Sequence, residues 1–320
     1  MLNEDRIIDL LKMNFSKYIG DDAAIIPVGN KQSYVITKDL LIEDVHFRTS
    51  YCDPKSLAHK ALHVNLSDIA AMCGNPIFIL GGISIPALKE KYAIEFLKNF
   101  VDVCKAQSVE LIGGDTTKSP DKLFISITAI GLAQDDNIKY RNKAKLGDLI
   151  YYAGNLGYAQ LGFRMLESGH DGAEIFKEAF LRPNALVKEG LWLGQKYDVH
   201  AVMDVSDGLF VDLQKLCKAS GFSAEINLDN FRLSEEFILE CANLGMNAID
   251  VMLTGGEDYG LLFTADSVQC KSSIDEFKVI FGYEPQYVGR ITSNTDELTF
   301  MKDGVKKELS PKPFSHFGEL

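Results

Sequence analysis

The chain lacks the common nucleotide signatures. No G-x-x-x-x-G-K-[ST] loop, G-x-G-x-x-G turn, H-E-x-x-H pair or G-x-S-x-G elbow occurs in its 320 residues. A phosphate site here must therefore be built by other means. The six cysteines (Cys52, Cys73, Cys104, Cys217, Cys241 and Cys270) form no C-x-x-C. They read as reduced thiols of a cytoplasmic protein rather than a disulfide framework. The six histidines show no zinc-like cluster. Positive charge is also in deficit, with 33 Lys and Arg against 45 Asp and Glu and a net charge of -12. A nucleic-acid partner is not expected, because phosphate neutralisation needs a clustered basic surface. The longest largely apolar stretch, Pro76 to Leu88, is short and interrupted by Gly, Ser and Pro, so no membrane span is expected. The opening MLNEDRIIDLLKMN carries acids and no long apolar run, unlike a signal peptide.

What is present is an ordinary globular composition, 46% apolar and 24% charged, with enough length for two domains. Short apolar runs alternate with helical patterns, which indicates an α/β chain. Ser33 to Thr37 reads as a strand. Asp53-Pro54 reads as a helix start, with Asp as the cap and Pro in the first turn. Leu57, Ala58, Ala61, Leu62, Asn65, Ile69 and Met72 follow at helical spacing, and Gly74 is the stop. Ile77 to Ile85 predicts a strand. Lys89 to Gln107 predicts a helix burying Phe96, Phe100, Val101 and Cys104, and Leu123 to Leu132 a further strand. The polar segment Asp135 to Gly147 is the expected junction between domains 1–138 and 139–320. Beyond it, Leu149 to Ala153 predicts a strand, Gly154 to Gly157 a turn, and Tyr158 to Glu167 and Ala185 to Gln195 helices. His200 to Asp204 ends a strand, and the helix marked by Leu209, Leu213 and Leu216 stops at Gly221.

Six short acidic segments sit beside turns: Gly20-Asp21-Asp22, Thr37-Lys38-Asp39, Asn65-Leu66-Ser67-Asp68, Gly113-Gly114-Asp115-Thr116-Thr117, Asp204-Val205-Ser206-Asp207-Gly208 and Gly255-Gly256-Glu257-Asp258. Any one Asp beside Gly is ordinarily a turn former or helix cap. Six of them near strand ends are harder to assign to turns alone. Carboxylates at the strand ends of an α/β sheet would converge on one edge, where ligands bind. Crowded together they repel unless cations hold them, and Mg²⁺ suits all-oxygen ligands beside phosphate. In the fifth segment Ser206 or Asp207 is expected to cap the following helix, leaving Asp204 for a metal. Gly113-Gly114-Asp115 fits either a tight turn or a close backbone approach to a ligand.

In this order the segments resemble the thiamine-monophosphate kinase family, part of the ATP-binding superfamily that includes aminoimidazole ribonucleotide synthetase and selenide water dikinase. The matching text is GDDAAI (Gly20 to Ile25), TKDLLIEDVHF (Thr37 to Phe47), KALHVNLSDIAAMCGNP (Lys60 to Pro76), LIGGDTTKSP (Leu111 to Pro120), GDLIYYAGNLG (Gly147 to Gly157), LRP (Leu181 to Pro183), MDVSDGLFVDL (Met203 to Leu213), LTGGEDYGLLFT (Leu253 to Thr264) and FSHF (Phe314 to Phe317).

The resemblance implies a two-domain α/β (α+β) protein whose N-terminal mixed sheets pair across a homodimer. It implies transfer of the γ-phosphoryl of ATP to thiamine monophosphate with Mg²⁺, the last step to thiamine diphosphate. Carried over by motif, the metal positions are Asp22, Asp39, Asp68, Asp115, Asp204 and Asp207. Nucleotide contacts are Thr37, Lys38, Gly114, Asp115, Arg141 and Ser206. His46, Glu257 and Phe314 are the substrate positions. No general base is implied, because the acceptor phosphate is largely ionised at neutral pH. Lys38 departs from the family, which has a hydroxyl residue there. Its ammonium is expected either at the phosphate site, replacing a metal contact, or pointing away along the strand's alternation.

Overall fold

The computed structural model describes residues 10–11, 18–293 and 298–309. A tight turn at Asn30-Lys31, both residues left-handed, joins strands β1 (Ala24–Gly29) and β2 (Gln32–Ile42). With β3 (Asn75–Pro86), β4 (Glu110–Ser119) and β5 (Phe124–Gln134) they form a mixed sheet in the order β1-β2-β5-β3-β4. Only its β3–β4 pair is parallel. Along β2 the pleat buries Ser33, Val35, Thr37 and Leu41 and exposes Tyr34, Lys38 and Leu40.

Helices α1 (Pro54–Ala71) and α2 (Glu90–Ala106) cover one face of this sheet. The start of α1 is as predicted: Asp53 accepts the amides of Lys55 at 2.8 Å and Ser56 at 2.9 Å, with Pro54 in the first turn. This helix is buried on nearly every side, polar positions included. Such a helix must lie between two packing partners. On α2, Phe96, Phe100 and Cys104 are buried as expected, but Val101 is 37% exposed.

The second sheet runs β12-β11-β8-β10-β6-β9-β7. Its strands are β6 (Leu149–Ala153), β7 (Val199–Val205), β8 (Ser223–Asn227), β9 (Gly260–Ala265), β10 (Gln286–Thr292), β11 (Thr299–Lys302) and β12 (Val305–Lys307). Helices α3 (Tyr158–Ser168), α4 (Glu174–Leu181), α5 (Val187–Gly194), α6 (Leu209–Ser220), α7 (Glu235–Asn243), α8 (Ala248–Thr254) and α9 (Cys270–Phe281) intervene. The architecture is a two-domain α/β fold with mixed sheets. Ala159 of α3 and Phe180 and Leu181 of α4 nevertheless pack into the core of the first sheet. The two halves therefore share a seam, with α1 on one side and outer strand β7 on the other.

The segment Glu110 to Ser119, read from its glycines as a turn or ligand loop, is a full edge strand. A Cβ on Gly114 would stand 1.7 Å from the Gly81 carbonyl oxygen. The close approach that needs glycine is thus to β3. No single helix among the described residues is long and apolar enough to cross a membrane.

Candidate active site

A cavity of about 710 Å³ opens at the seam, lined from β2, α1, α3, β7, α6 and the loops at 19–22 and 256–259. One end is acidic. A carboxylate oxygen from each of Asp22, Asp68 and Asp204 lies within 4.8 Å of the others. These residues come from a loop, the interior of α1 and the end of β7. Thr37 and Asp39 join them from the middle of β2. The carboxylates therefore converge between two sheets, and not on one sheet edge as their sequence positions suggested.

Hydrogen bonds fix the cluster from behind. Ser67 donates to Asp204 Oδ2 at 2.6 Å, and the Thr37 hydroxyl donates to Asp68. The Asp39 amide donates to Asn65 Oδ1 at 3.1 Å, while Asn65 donates to the Ala61 carbonyl at 3.0 Å. Arg141 reaches Asp21 Oδ1 through Nε at 3.3 Å and also donates to Asp22. Burial dominates the acidity of the group. It pushes Asp22 and Asp204 up to about 7 and Asp39 up to about 6. Asp68 is raised well above the usual range, first by burial and then by Asp39, Asp204 and Asp22. Among the described residues, Asp22 Oδ2 is buried with no hydrogen-bond partner. A site of hard oxygen donors with an orphaned carboxylate oxygen and mutual repulsion fits a divalent cation such as Mg²⁺.

The Asp204-to-Gly208 segment folds differently from its capping pattern. Neither Ser206 nor Asp207 caps α6, which starts after Gly208 without a side-chain cap. Instead Asp212, inside the first turn, accepts the Asp207 amide at 2.9 Å. Lys215 bridges Asp212, at 2.9 Å, and Asp207. Gly208 has a φ of 101°, and a Cβ there would lie 2.9 Å from the Thr254 backbone. This lets the turn tuck under the 255–259 loop, where the amides of Glu257 and Tyr259 donate to Ser206 and Val205 carbonyls at 2.8 and 2.9 Å.

The cavity is also lined by the apolar and aromatic side chains of Leu41, Val45, Phe163 and Phe180. His46 and Glu257 stand among them. The His46 Nδ1 accepts the Ile42 amide at 3.0 Å, which orients the ring.

The sequence of this chain matches two family models, AIR synthase related protein, N-terminal domain, over residues 20–133 and AIR synthase related protein, C-terminal domain, over 145–298. It is 34% identical over 322 residues to the thiamine-monophosphate kinase of Aquifex aeolicus, covering 99% of this chain and 98% of that one. It is 32% identical to the Haemophilus influenzae thiamine-monophosphate kinase, covering 94% and 92%. A solved structure of AaThiL complexed with AMPPCP and TMP superposes with a TM-score of 0.86 at 32% identity, covering 99% of this chain and 97% of that one. The chain belongs to the thiamine-monophosphate kinase family.

Against that family's pattern, the cavity collects Asp22, Thr37, Asp39, His46, Asp68, Arg141, Asp204, Ser206, Asp207 and Glu257. Gly114 and Asp115 are not brought in: both lie exposed on β4, away from the cavity lining. Phe314 lies outside the described residues. Lys38 lines the rim, but its Nζ donates to Ser126 Oγ at 2.5 Å, on the sheet face opposite Thr37 and Asp39. Of the two expected positions for this side chain, the one set by the alternation of β2 is the one seen. Lys38→Thr should therefore leave the Mg²⁺ dependence of the rate unchanged; parallel Mg²⁺ titrations that separate by more than about twofold in half-maximal concentration would contradict this placement.

Sequence reading missed Lys60, Asp212 and Lys215. A signal for the first exists, because Lys60, Val64 and Asp68 recur every four residues and so share a face of α1.

Proposed function

We propose that this protein transfers the γ-phosphoryl group of ATP to the phosphate of thiamine monophosphate, giving thiamine diphosphate and ADP. The observation that carries this reading is a single cavity that combines the Asp22-Asp68-Asp204 constellation with the aromatic side chains of Phe163 and Phe180. Cations held by the carboxylates would let phosphate groups approach them, and the aromatic side chains suit an aromatic heterocycle.

Mg²⁺ held by Asp22, Asp39, Asp68, Asp204 and Asp207 would supply charge neutralisation where two phosphate groups meet. The chain's own residues do the rest. Thr37, Ser67 and Asn65 hold the carboxylates and the β2 backbone in place. Arg141 offsets part of the acidic charge. His46, fixed by the Ile42 amide, and Glu257 border the heterocycle. No side chain is needed to remove a proton, since the acceptor oxygen is already ionised, and transfer is in line without a phosphoenzyme.

A homodimer completes the proposal. The face of the first sheet away from α1 and α2 exposes Tyr34, Leu40 and Leu80, which a lone chain leaves in water. Gly114 and Asp115 do not line their own chain's cavity, so a part in nucleotide binding requires a second copy packed on that sheet.

The test is a reaction with ATP, Mg²⁺ and thiamine monophosphate, followed by chromatography. ADP and thiamine diphosphate are expected in equal amounts. ADP release without thiamine diphosphate, or no turnover at all, would count against this assignment.

A further inference from the structure

Lys60 lies on α1 with 0% of its surface exposed. An ammonium is costly to bury unless its charge and its donors are met. Here they are met by Glu257 and Phe180. Nζ lies 3.1 Å from Glu257 Oε2 and 3.2 Å from the Phe180 carbonyl oxygen, and it stands 3.6 Å from the centre of the Phe180 ring. Glu257 and Phe180 line the cavity, whereas Lys60 stands behind them.

Glu257 is held from its backbone too. Its φ is 65°, in the left-handed region, and its amide donates to the Ser206 carbonyl at 2.8 Å. Both ends of the residue are thus fixed. Lys60 takes Oε2, and Glu257 lines the cavity. Because Lys60 already serves as counter-ion, this corner is electrically balanced. A balanced, immobilised carboxylate is suited to accept a hydrogen bond from a ligand N–H more than to hold a cation by charge alone.

We propose that Lys60 is a positioning residue that orients Glu257 to accept the exocyclic amino group of a heterocycle seated by Phe180, and so sets selectivity for amino-substituted rings. This rests on the function proposed above, in which the heterocycle is the aminopyrimidine of thiamine monophosphate.

The probes are thiamine monophosphate and oxythiamine monophosphate, whose ring carries a carbonyl in place of the amino group. Each is titrated calorimetrically into the full chain with Mg²⁺, with AMPPCP binding measured separately. The wild type should prefer thiamine monophosphate by about tenfold or more, since a site built for an N–H donor rejects the analogue that lacks it. In Lys60→Met that preference should shrink to within about twofold, with AMPPCP affinity unchanged. Glu257→Ala, at a partly exposed position, should lose the preference to the same extent, and it decides the matter if Lys60→Met does not fold. A preference that persists in either folded variant, or is absent from the wild type, overturns the role of Lys60 alone. A wild type that binds neither compound overturns the proposed function and the role of Lys60 with it.

Discussion

Asp204→Asn should lower the rate of phosphoryl transfer by about 100-fold or more and, without metal, should melt about 2–5 °C higher than the wild type at pH 8. The two effects have one cause. Asp204 is buried beside Asp22 and Asp68, and its pKa is pushed up to about 7 by burial first and by the Asp22 charge next. At pH 8 the wild type must ionise it against that cost. Asparagine keeps the shape and can still accept the Ser67 hydroxyl that now bonds Asp204 Oδ2 at 2.6 Å. It removes the charge that would hold a cation. Thermal melts with and without Mg²⁺ alongside steady-state rates provide the check. A variant that melts lower than the wild type without metal would show that the carboxylate is there for the fold.

Stabilisation by Mg²⁺ should grow with pH, small near about pH 5.5 and levelling off above about pH 7.5. Asp22, Asp204 and Asp212 are raised to about 7 and Asp39 to about 6 from 3.8. A carboxyl whose folded value is raised binds more protons in the native state than in the unfolded one. Its favourable contribution is complete below the unfolded value and is lost as pH rises through the folded value. The metal-free protein thus loses this contribution between about pH 4 and pH 7. A cation binds the ionised forms and restores most where that loss is complete. It also expels protons near pH 6.5, which calorimetry in buffers of different ionisation heat reads directly. A shift in melting temperature that is flat across this range would contradict the shared-charge picture of the cluster.

Much of this site was legible before the fold was known, and the failures have physical causes. The Asp53-Pro54 start of α1 was readable because capping is local chemistry, and the structure places it there. The strand alternation of β2 was readable too, and it correctly argued that Lys38 points away from its neighbours. That Gly113-Gly114-Asp115 lies within a strand was not legible, because a glycine pair looks alike whether it makes a turn, room for a ligand or room for the Gly81 backbone. The cap of α6 was misassigned because Asp212 lies four residues into the helix pattern, where an acid ordinarily faces solvent; here burial raises it to about 7. For Lys60 the helical spacing with Val64 and Asp68 indicates its face of α1 but not the partner that meets its charge. Only the meeting of α1 with the 255–259 loop, almost two hundred residues later in the chain, reveals its partner.

Helix α1 limits how this molecule can move. Within three turns it carries Lys60, tied to Glu257 of the second half, and Ser67, tied to Asp204 of the same half, as well as Asn65, tied to the β2 amide of Asp39. A hinge opening the two sheets like jaws would break the first two links while the third held. Entry and exit of ligands are better served by small excursions of the 19–22 and 256–259 loops than by rotation of whole domains. Turnover would then be sensitive to the stiffness of those short segments, while the helix between the sheets behaves as a fixed axle.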